Sequence, residues 1–144
     1  MYKARDTRLN RTVAVKVAAE QFTERFEREA HAIAALNHPN ICTLHDVGPN
    51  YLVMEYLEGQ DLADWVRHSG AMRVPDAVEF VLQACEAIAE AHAFGIVHRD
   101  LKPANLFVTR RVDGSPCIKV LDFGISKLTV PGSTSAMGRT KAAV

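Results

Sequence analysis

The stretch HRDLKPAN at residues 98–105, followed by DFG at residues 122–124, decides what this chain can be. Taken singly, these residues have ordinary interpretations, because an Asp-Phe-Gly alone is a turn and a lone His98 is more often a packed histidine. The eight-residue run is far more specific, since Lys-Pro and Asn follow Asp100 at fixed spacing. Asn105 comes five residues after Asp100, a spacing that lets a loop turn both side chains toward one point.

Apolar periodicity predicts the elements before this stretch. Phe22, Phe26, Ala30 and Ile33 recur every three or four residues and predict a helix that ends before Pro39. The predicted ranges are strands at 2–4, 12–17, 41–47 and 51–55, with the helix at 20–36.

After Gly59 the pattern becomes helical. Asp61 is predicted to cap a short helix to His68, and Pro75 to open a longer helix that stops near Gly95. Short strands at 106–109 and 117–121 surround an Asp-Gly turn. The apolar face of the long helix is predicted to comprise Val78, Val81, Leu82, Cys85, Ile88, Ala89 and His92. The fold class is therefore α+β.

Composition is that of a soluble globular protein of 144 residues, enough for one domain, with 48% hydrophobic and 24% charged residues. Seventeen basic and seventeen acidic residues cancel, so we expect no nucleic-acid partner. The three scattered cysteines predict reduced thiols and a cytoplasmic location. We expect no signal peptide and no membrane segment, because no apolar run approaches the roughly 18 residues required.

The two motifs together resemble the catalytic loop and the magnesium loop of the eukaryotic-type protein kinases. VAVK at 13–16, placed before a helix that carries Glu29, and HPNI at 38–41 agree with that resemblance. Lys102, two residues after Asp100, is similar to serine/threonine-specific members, and PANLFV at 103–108 looks most like bacterial ones.

The resemblance implies a protein-kinase-like bilobal fold that is partial. Residues 1–54 would form an incomplete small lobe, 55–59 a hinge, and 60–144 part of the helical lobe with the start of an activation segment. The glycine-rich loop that covers the phosphates is missing before Tyr2, and the chain stops short of the substrate-docking run after the activation segment. We therefore expect a fragment with impaired or no activity.

The resemblance also implies serine/threonine protein kinase chemistry with ATP, Mg²⁺ and a protein substrate. Asp100 would orient the hydroxyl nucleophile and Lys102 would lie beside the transferred phosphate. Asn105 and Asp122 would hold the metal, since their oxygens are the hard ligands that Mg²⁺ prefers. Lys16 would contact the α- and β-phosphates and pair with Glu29.

The remaining ATP contacts follow from the same resemblance. Ala14 and Phe107 match the residues above and below the adenine ring, and Met54 the gatekeeper. The backbone at Glu55 and Leu57 would bind adenine, and Asp61 would contact the ribose. The apolar stack that links the two lobes would comprise Ile33, Leu44, His98 and Phe123.

Regulation by activation-loop phosphorylation is implied by Arg99 beside Asp100. Thr140 is the candidate site, with Thr129, Ser133, Thr134 and Ser135 as further candidates in a tail predicted to be a mobile loop.

Two alternatives stay open beside the kinase. The first is a non-catalytic, kinase-like interaction module. The second is a small-molecule phosphotransferase of the same fold, against which Lys102-Pro103 and Phe123 argue strongly. The sequence specifies neither the protein substrate nor the oligomeric state.

Overall fold

The computed structural model describes residues 1–123, and its first half is built on a four-stranded antiparallel sheet. The strands are ordered β1-β2-β4-β3, so β2 and β4 lie in the centre. β2 is rich in β-branched residues, and alternation along β4 buries Leu52 and Met54. The bounds are β1 Tyr2–Asp6, β2 Arg11–Val17, β3 Leu44–Val47 and β4 Tyr51–Glu55.

Helix α1, Glu24–Ala34, lies between β2 and β3 and begins four residues later than predicted. Its N-terminus is set by Thr23, whose side chain accepts a hydrogen bond from the Phe26 amide at 3.2 Å. That cap satisfies one of the amides that a first helical turn leaves without a partner. Phe26, Ala30 and Ile33 are buried, as the apolar period predicted.

The second half combines helices with a three-stranded sheet ordered β5-β6-β7. Strands β6 and β7 form the predicted hairpin, whereas the two-residue β5 was not predicted. The bounds are β5 Gln60–Asp61, α2 Leu62–Ser69, α3 Val74–Ala93, a 3₁₀ turn Pro103–Asn105, β6 Leu106–Arg110 and β7 Pro116–Val120.

The buried face of α3 is not the face that the sequence pattern indicated. The structure buries Phe80, Gln83, Ala84, Ala87 and Ala91, and α3 packs on β7 through this face. Small alanines let the helix approach the strand closely. Most of the larger side chains of the predicted face are exposed within the described residues, for example Val81 at 59% and Leu82 at 55%, whereas Ile88 is partly buried against the core. The prediction assigned the larger apolar side chains of α3 to its buried face, and this assignment was wrong.

The segment between α1 and β3 connects the two halves. The expected strand at 41–47 begins only at Leu44, because Ile41 pairs instead with Val120 of β7 in an isolated parallel bridge. The Val120 amide donates to the Asn40 carbonyl at 2.7 Å, and the Cys42 amide donates to the Val120 carbonyl at 3.0 Å. One core of buried side chains runs through both halves, from Phe26 and Leu52 to Val108 and Phe123.

Within residues 1–123, no helix combines the length and the apolar character that crossing a bilayer requires.

Candidate active site

The loop between α3 and β6 brings Asp100, Lys102 and Asn105 together. Lys102 Nζ lies 2.9 Å from Asp100 Oδ2, and Asn105 Nδ2 donates to the Asp100 backbone carbonyl at 2.8 Å and to Asp100 Oδ2 at 3.2 Å. Asn105 is 2% exposed, so these hydrogen bonds fix the amide within the fold. Arg99 has a φ of 63°, a left-handed conformation that turns the chain sharply just before Asp100.

Buried His98 supports this loop and connects it to the Asp122 segment. Its Nδ1 accepts from the Asp100 amide at 3.3 Å, and its Nε2 donates to the Leu121 carbonyl at 2.7 Å. The ring lies 4.9 Å from the Phe123 ring, centroid to centroid. Burial lowers the pKa of His98 below its usual value, although the Leu121 carbonyl and the nearby carboxylates act in the opposite direction. The imidazole is therefore a neutral structural link.

Asp122 lies on the other side of the site, with its carboxylate 3.0 Å from Lys16 Nζ. The Asp122 side chain is 6% exposed and that of Lys16 28%, so this ion pair is largely removed from water. Asp122 has a φ of 55°, which directs the chain out of the strand that precedes it. The Leu121 amide donates to the Asn105 carbonyl at 2.9 Å, so the Asp122 and Asn105 segments are joined by backbone.

These residues fit a magnesium ion. Asn105 makes its side-chain hydrogen bonds through Nδ2, which leaves Oδ1 as its ligand atom, and Asp122 supplies a carboxylate. Mg²⁺ commonly binds to one or two protein oxygens and completes its shell with water and substrate phosphates. Within residues 1–123 no group of three or more His, Cys, Asp or Glu side chains is arranged to hold a metal ion.

Glu29 does not pair with Lys16 among the ion pairs of the described chain. Its carboxylate is 3.2 Å from Arg25 Nε, one turn away on α1, while Lys16 pairs with Asp122. The structure thus pairs Lys16 with Asp122, the predicted metal ligand, and pairs half-buried Glu29 with Arg25.

The residues expected around adenine are divided between the two sheets. Ala14 is buried in β2 opposite Met54 of β4, and Phe107 lies on β6 opposite Asp61. Gly59 has a φ of 144°, and a Cβ there would lie 1.9 Å from the Val108 carbonyl oxygen, so only glycine fits against β6.

Asp61 and Glu55 have structural partners besides their predicted roles. Asp61, which is 4% exposed, caps α2 by accepting from the Asp64 amide at 2.8 Å. Glu55 Oε1 accepts from Lys119 Nζ and from the Thr43 amide, both at 2.8 Å, which ties the end of β4 to β7. The predicted adenine contact of Glu55 and of half-buried Leu57 is through the backbone, so the Lys119 ion pair leaves it free to form.

Sequence reasoning missed Lys119 and Gln83, both of which hold β7. Lys119 alternates with buried Ile118 and Val120, which is a signal for a strand residue of the opposite face. Gln83 gave no signal, because one glutamine in a helix resembles any surface residue. The expected Thr140 site, the other tail hydroxyls and Gly124 lie outside the described residues, and Arg99 is exposed.

Comparison with known proteins agrees with this geometry. The protein kinase domain family matches residues 1–142. The chain is 41% identical to the probable serine/threonine-protein kinase CPE1738 of Clostridium perfringens, over 96% of this chain and 22% of that protein. It is 42% identical to the serine/threonine-protein kinase PknB of Mycobacterium leprae, over 94% of this chain and 23% of that protein. It therefore spans less than a quarter of the length of these curated relatives.

Solved structures show the same relation at the level of the fold. The kinase domain of Mycobacterium tuberculosis PknI superposes with a TM-score of 0.75 at 31% identity, covering 86% of this chain and 54% of that one. Rad53 in complex with AMP-PNP superposes with a TM-score of 0.74 at 35% identity, covering 85% of this chain and 34% of that one. The chain belongs to the protein kinase domain family and is similar to bacterial serine/threonine kinases.

Proposed function

We propose that this chain carries the catalytic residues for transfer of the γ-phosphoryl group of ATP to a serine or threonine hydroxyl of a protein. The observation that carries the proposal is the junction of two clusters: Asp100, Lys102 and Asn105 on one side, and Asp122 with Lys16 on the other. A backbone hydrogen bond from Leu121 to Asn105 joins them.

Each side chain has a distinct task in this proposal. The hydroxyl oxygen forms a bond to the γ-phosphorus while the bond to the β,γ-bridging oxygen breaks and ADP leaves. Asp100 orients the hydroxyl and accepts its proton. Lys102, already beside the Asp100 carboxylate, neutralises charge on the transferred group. Mg²⁺, when held by Asn105 and Asp122, supplies charge neutralisation at the phosphates.

Lys16 has two alternative partners in this scheme. In the described structure its ammonium balances the Asp122 carboxylate. If Asp122 held a divalent cation, the Lys16 ammonium would be available to contact the α- and β-phosphates. The AMP-PNP bound to Rad53 supports an ATP-type ligand for this family.

The location and partners follow from the proposed chemistry. ATP use and the three free cysteines support a reducing, cytoplasmic location. The relatives' description as serine/threonine kinases supports a protein substrate. Residues 1–54 are proposed as an incomplete small lobe, 55–59 as a hinge and 60–144 as part of the helical lobe, since the first sheet ends at Glu55 and the second begins at Gln60.

A second candidate is a kinase-like module that binds ATP or a partner but does not transfer phosphate. Two observations favour it: Glu29 pairs with Arg25 and not with Lys16, and an apolar face of α3 around Val81 and Leu82 is exposed. The first observation means that Lys16, the proposed phosphate contact, does not form the ion pair that was predicted with Glu29 of α1.

Transfer of labelled γ-phosphate to a generic protein substrate tests the proposal. We expect weak Mg²⁺-dependent labelling, in keeping with the impaired activity expected of this fragment, and we expect Asp100→Asn to abolish it. Asp76→Asn is the matched control, because Asp76 is an exposed aspartate paired with Arg73 at the start of α3. Magnesium-dependent ATP binding without any transfer would instead establish the non-catalytic module.

A further inference from the structure

The outer edge of β7 is completed by side chains and a loop in place of another strand. β6 pairs with one edge of β7, while the backbone groups of Ile118 and Val120 point to the other side. Both residues are fully buried, so unpaired amides or carbonyls there would be costly. The loop at 40–42 satisfies Val120, as described above, and Ile118 depends on two side-chain amides.

Gln83 of α3 is the centre of that arrangement. Its Oε1 accepts from the Ile118 amide at 2.8 Å and from Asn40 Nδ2 at 3.1 Å, and its Nε2 donates to Glu79 at 2.8 Å. Asn40 Nδ2 also donates to the Ile118 carbonyl at 2.9 Å. Gln83 is 4% exposed and Asn40 1%. One glutamine oxygen therefore ties together α3, β7 and the loop from the first sheet.

The strand held in this way leads directly to the proposed metal ligand. Val120 lies two positions after Ile118, and Asp122 lies two positions after Val120. After Val120 the chain is held by the hydrogen bonds of Leu121 to Asn105 and His98. A shift of β7 along α3 would therefore strain the Leu121–Asn105 hydrogen bond and move Asp122 relative to the loop that holds Asn105 through Asp100.

We propose that Gln83 is a positioning residue that sets the place of Asp122 relative to Asn105 by fixing β7 against α3 and Asn40. This inference rests on the proposed function, in which Asp122 and Asn105 hold the magnesium of Mg–ATP. Gln83 touches neither nucleotide nor metal, and its contribution is to the metal-dependent part of nucleotide affinity.

Two substitutions separate the acceptor role of Gln83 from simple packing. Gln83→Met keeps a side chain of similar length and removes the oxygen that accepts from Ile118 and Asn40. The double variant Gln83→Glu with Glu79→Gln restores all three hydrogen bonds. The carboxylate at 83 accepts from Ile118 and Asn40 as before, and the hydrogen bond between positions 79 and 83 reverses, because the amide at 79 now donates to the carboxylate at 83. Glu79→Gln alone is the matched control.

The measurement is the ratio of ATP affinity with Mg²⁺ to ATP affinity without it, for each purified variant. This ratio does not depend on the folded fraction, so loss of stability alone leaves it unchanged. We expect Gln83→Met to lower the ratio by about tenfold, as is typical for residues that orient metal ligands. The double variant should recover most of it. An unchanged ratio in Gln83→Met, with wild-type binding intact, would overturn the inference.

Amide hydrogen exchange without nucleotide provides an independent test, which applies even if wild-type protein binds no ATP and the proposed function fails. We expect Gln83→Met to speed exchange at Ile118 and also at Val120 and Leu121, and the double variant to reverse this. Faster exchange at Ile118 alone would show that Gln83 does not hold the segment leading to Asp122, and the inference would be wrong.

Discussion

Replacing Lys16 by Met removes the cation that lies 3.0 Å from the Asp122 carboxylate. Exposed ion pairs contribute about 0.2–1 kcal/mol, and breaking a fully buried pair costs about 3–5 kcal/mol. This pair lies between those limits, since Asp122 is nearly buried and Lys16 is about one quarter exposed. We therefore expect Lys16→Met to lower the free energy of unfolding by about 2 kcal/mol, or the Tm by about 4–8 °C.

Urea unfolding followed by the fluorescence of Trp65, the single tryptophan, measures this change. A double-mutant cycle with Asp122→Asn isolates the interaction between the two side chains. Arg25→Met is the matched control, because it breaks the exposed Arg25–Glu29 pair and should change stability by less than about 0.5 kcal/mol. A coupling energy below about 0.5 kcal/mol for Lys16 and Asp122 would refute the view that these two side chains form a stabilising, partly buried ion pair.

Three further results are expected. Glu29→Gln should leave the free energy of unfolding without nucleotide nearly unchanged. It should weaken Mg–ATP binding measured by calorimetry, because the predicted Lys16–Glu29 pair would form as α1 moves on binding. Equal affinity of wild type and variant would show that Glu29 takes no part in binding. The free energy of unfolding should decrease as pH falls below about 6.5, because the low pKa of buried His98 keeps it neutral when the unfolded chain binds a proton. His98→Phe should flatten that slope in urea titrations, and an identical slope would contradict the assignment. Alkylation followed by mass spectrometry should modify exposed Cys85 first, since burial raises the pKa of Cys42, and equal rates would contradict the orientation of α3.

Much of the secondary structure could be predicted because local signals are strong where one face is buried. β4 has the predicted bounds, since its alternation of buried and half-buried residues is regular, and Asp61 caps α2 as its position before an apolar run indicated. Resemblance to the kinase catalytic loop pointed to Asp100, Lys102 and Asn105, and these three residues lie within hydrogen-bond or ion-pair distance of one another.

What could not be predicted depends on contacts between distant segments. The buried face of α3 is determined by its packing against β7. The alanines allow the helix to approach the strand closely, whereas the larger Val81 and Leu82 remain exposed. Ile41 pairs with Val120 across 79 positions of sequence, so β3 begins later than its apolar run suggested. Gln83 acquires its role only from the partners that the fold brings to it.

Calorimetric titration of ATP into the purified chain, with and without Mg²⁺, tests the central claim most directly. The account predicts magnesium-dependent binding that is lost in both Lys16→Met and Asp122→Ala, because the two side chains contribute the phosphate contact and the metal ligand. Absence of ATP binding by the wild-type chain, or binding that both variants retain, would contradict the assignment of this cluster as a nucleotide site.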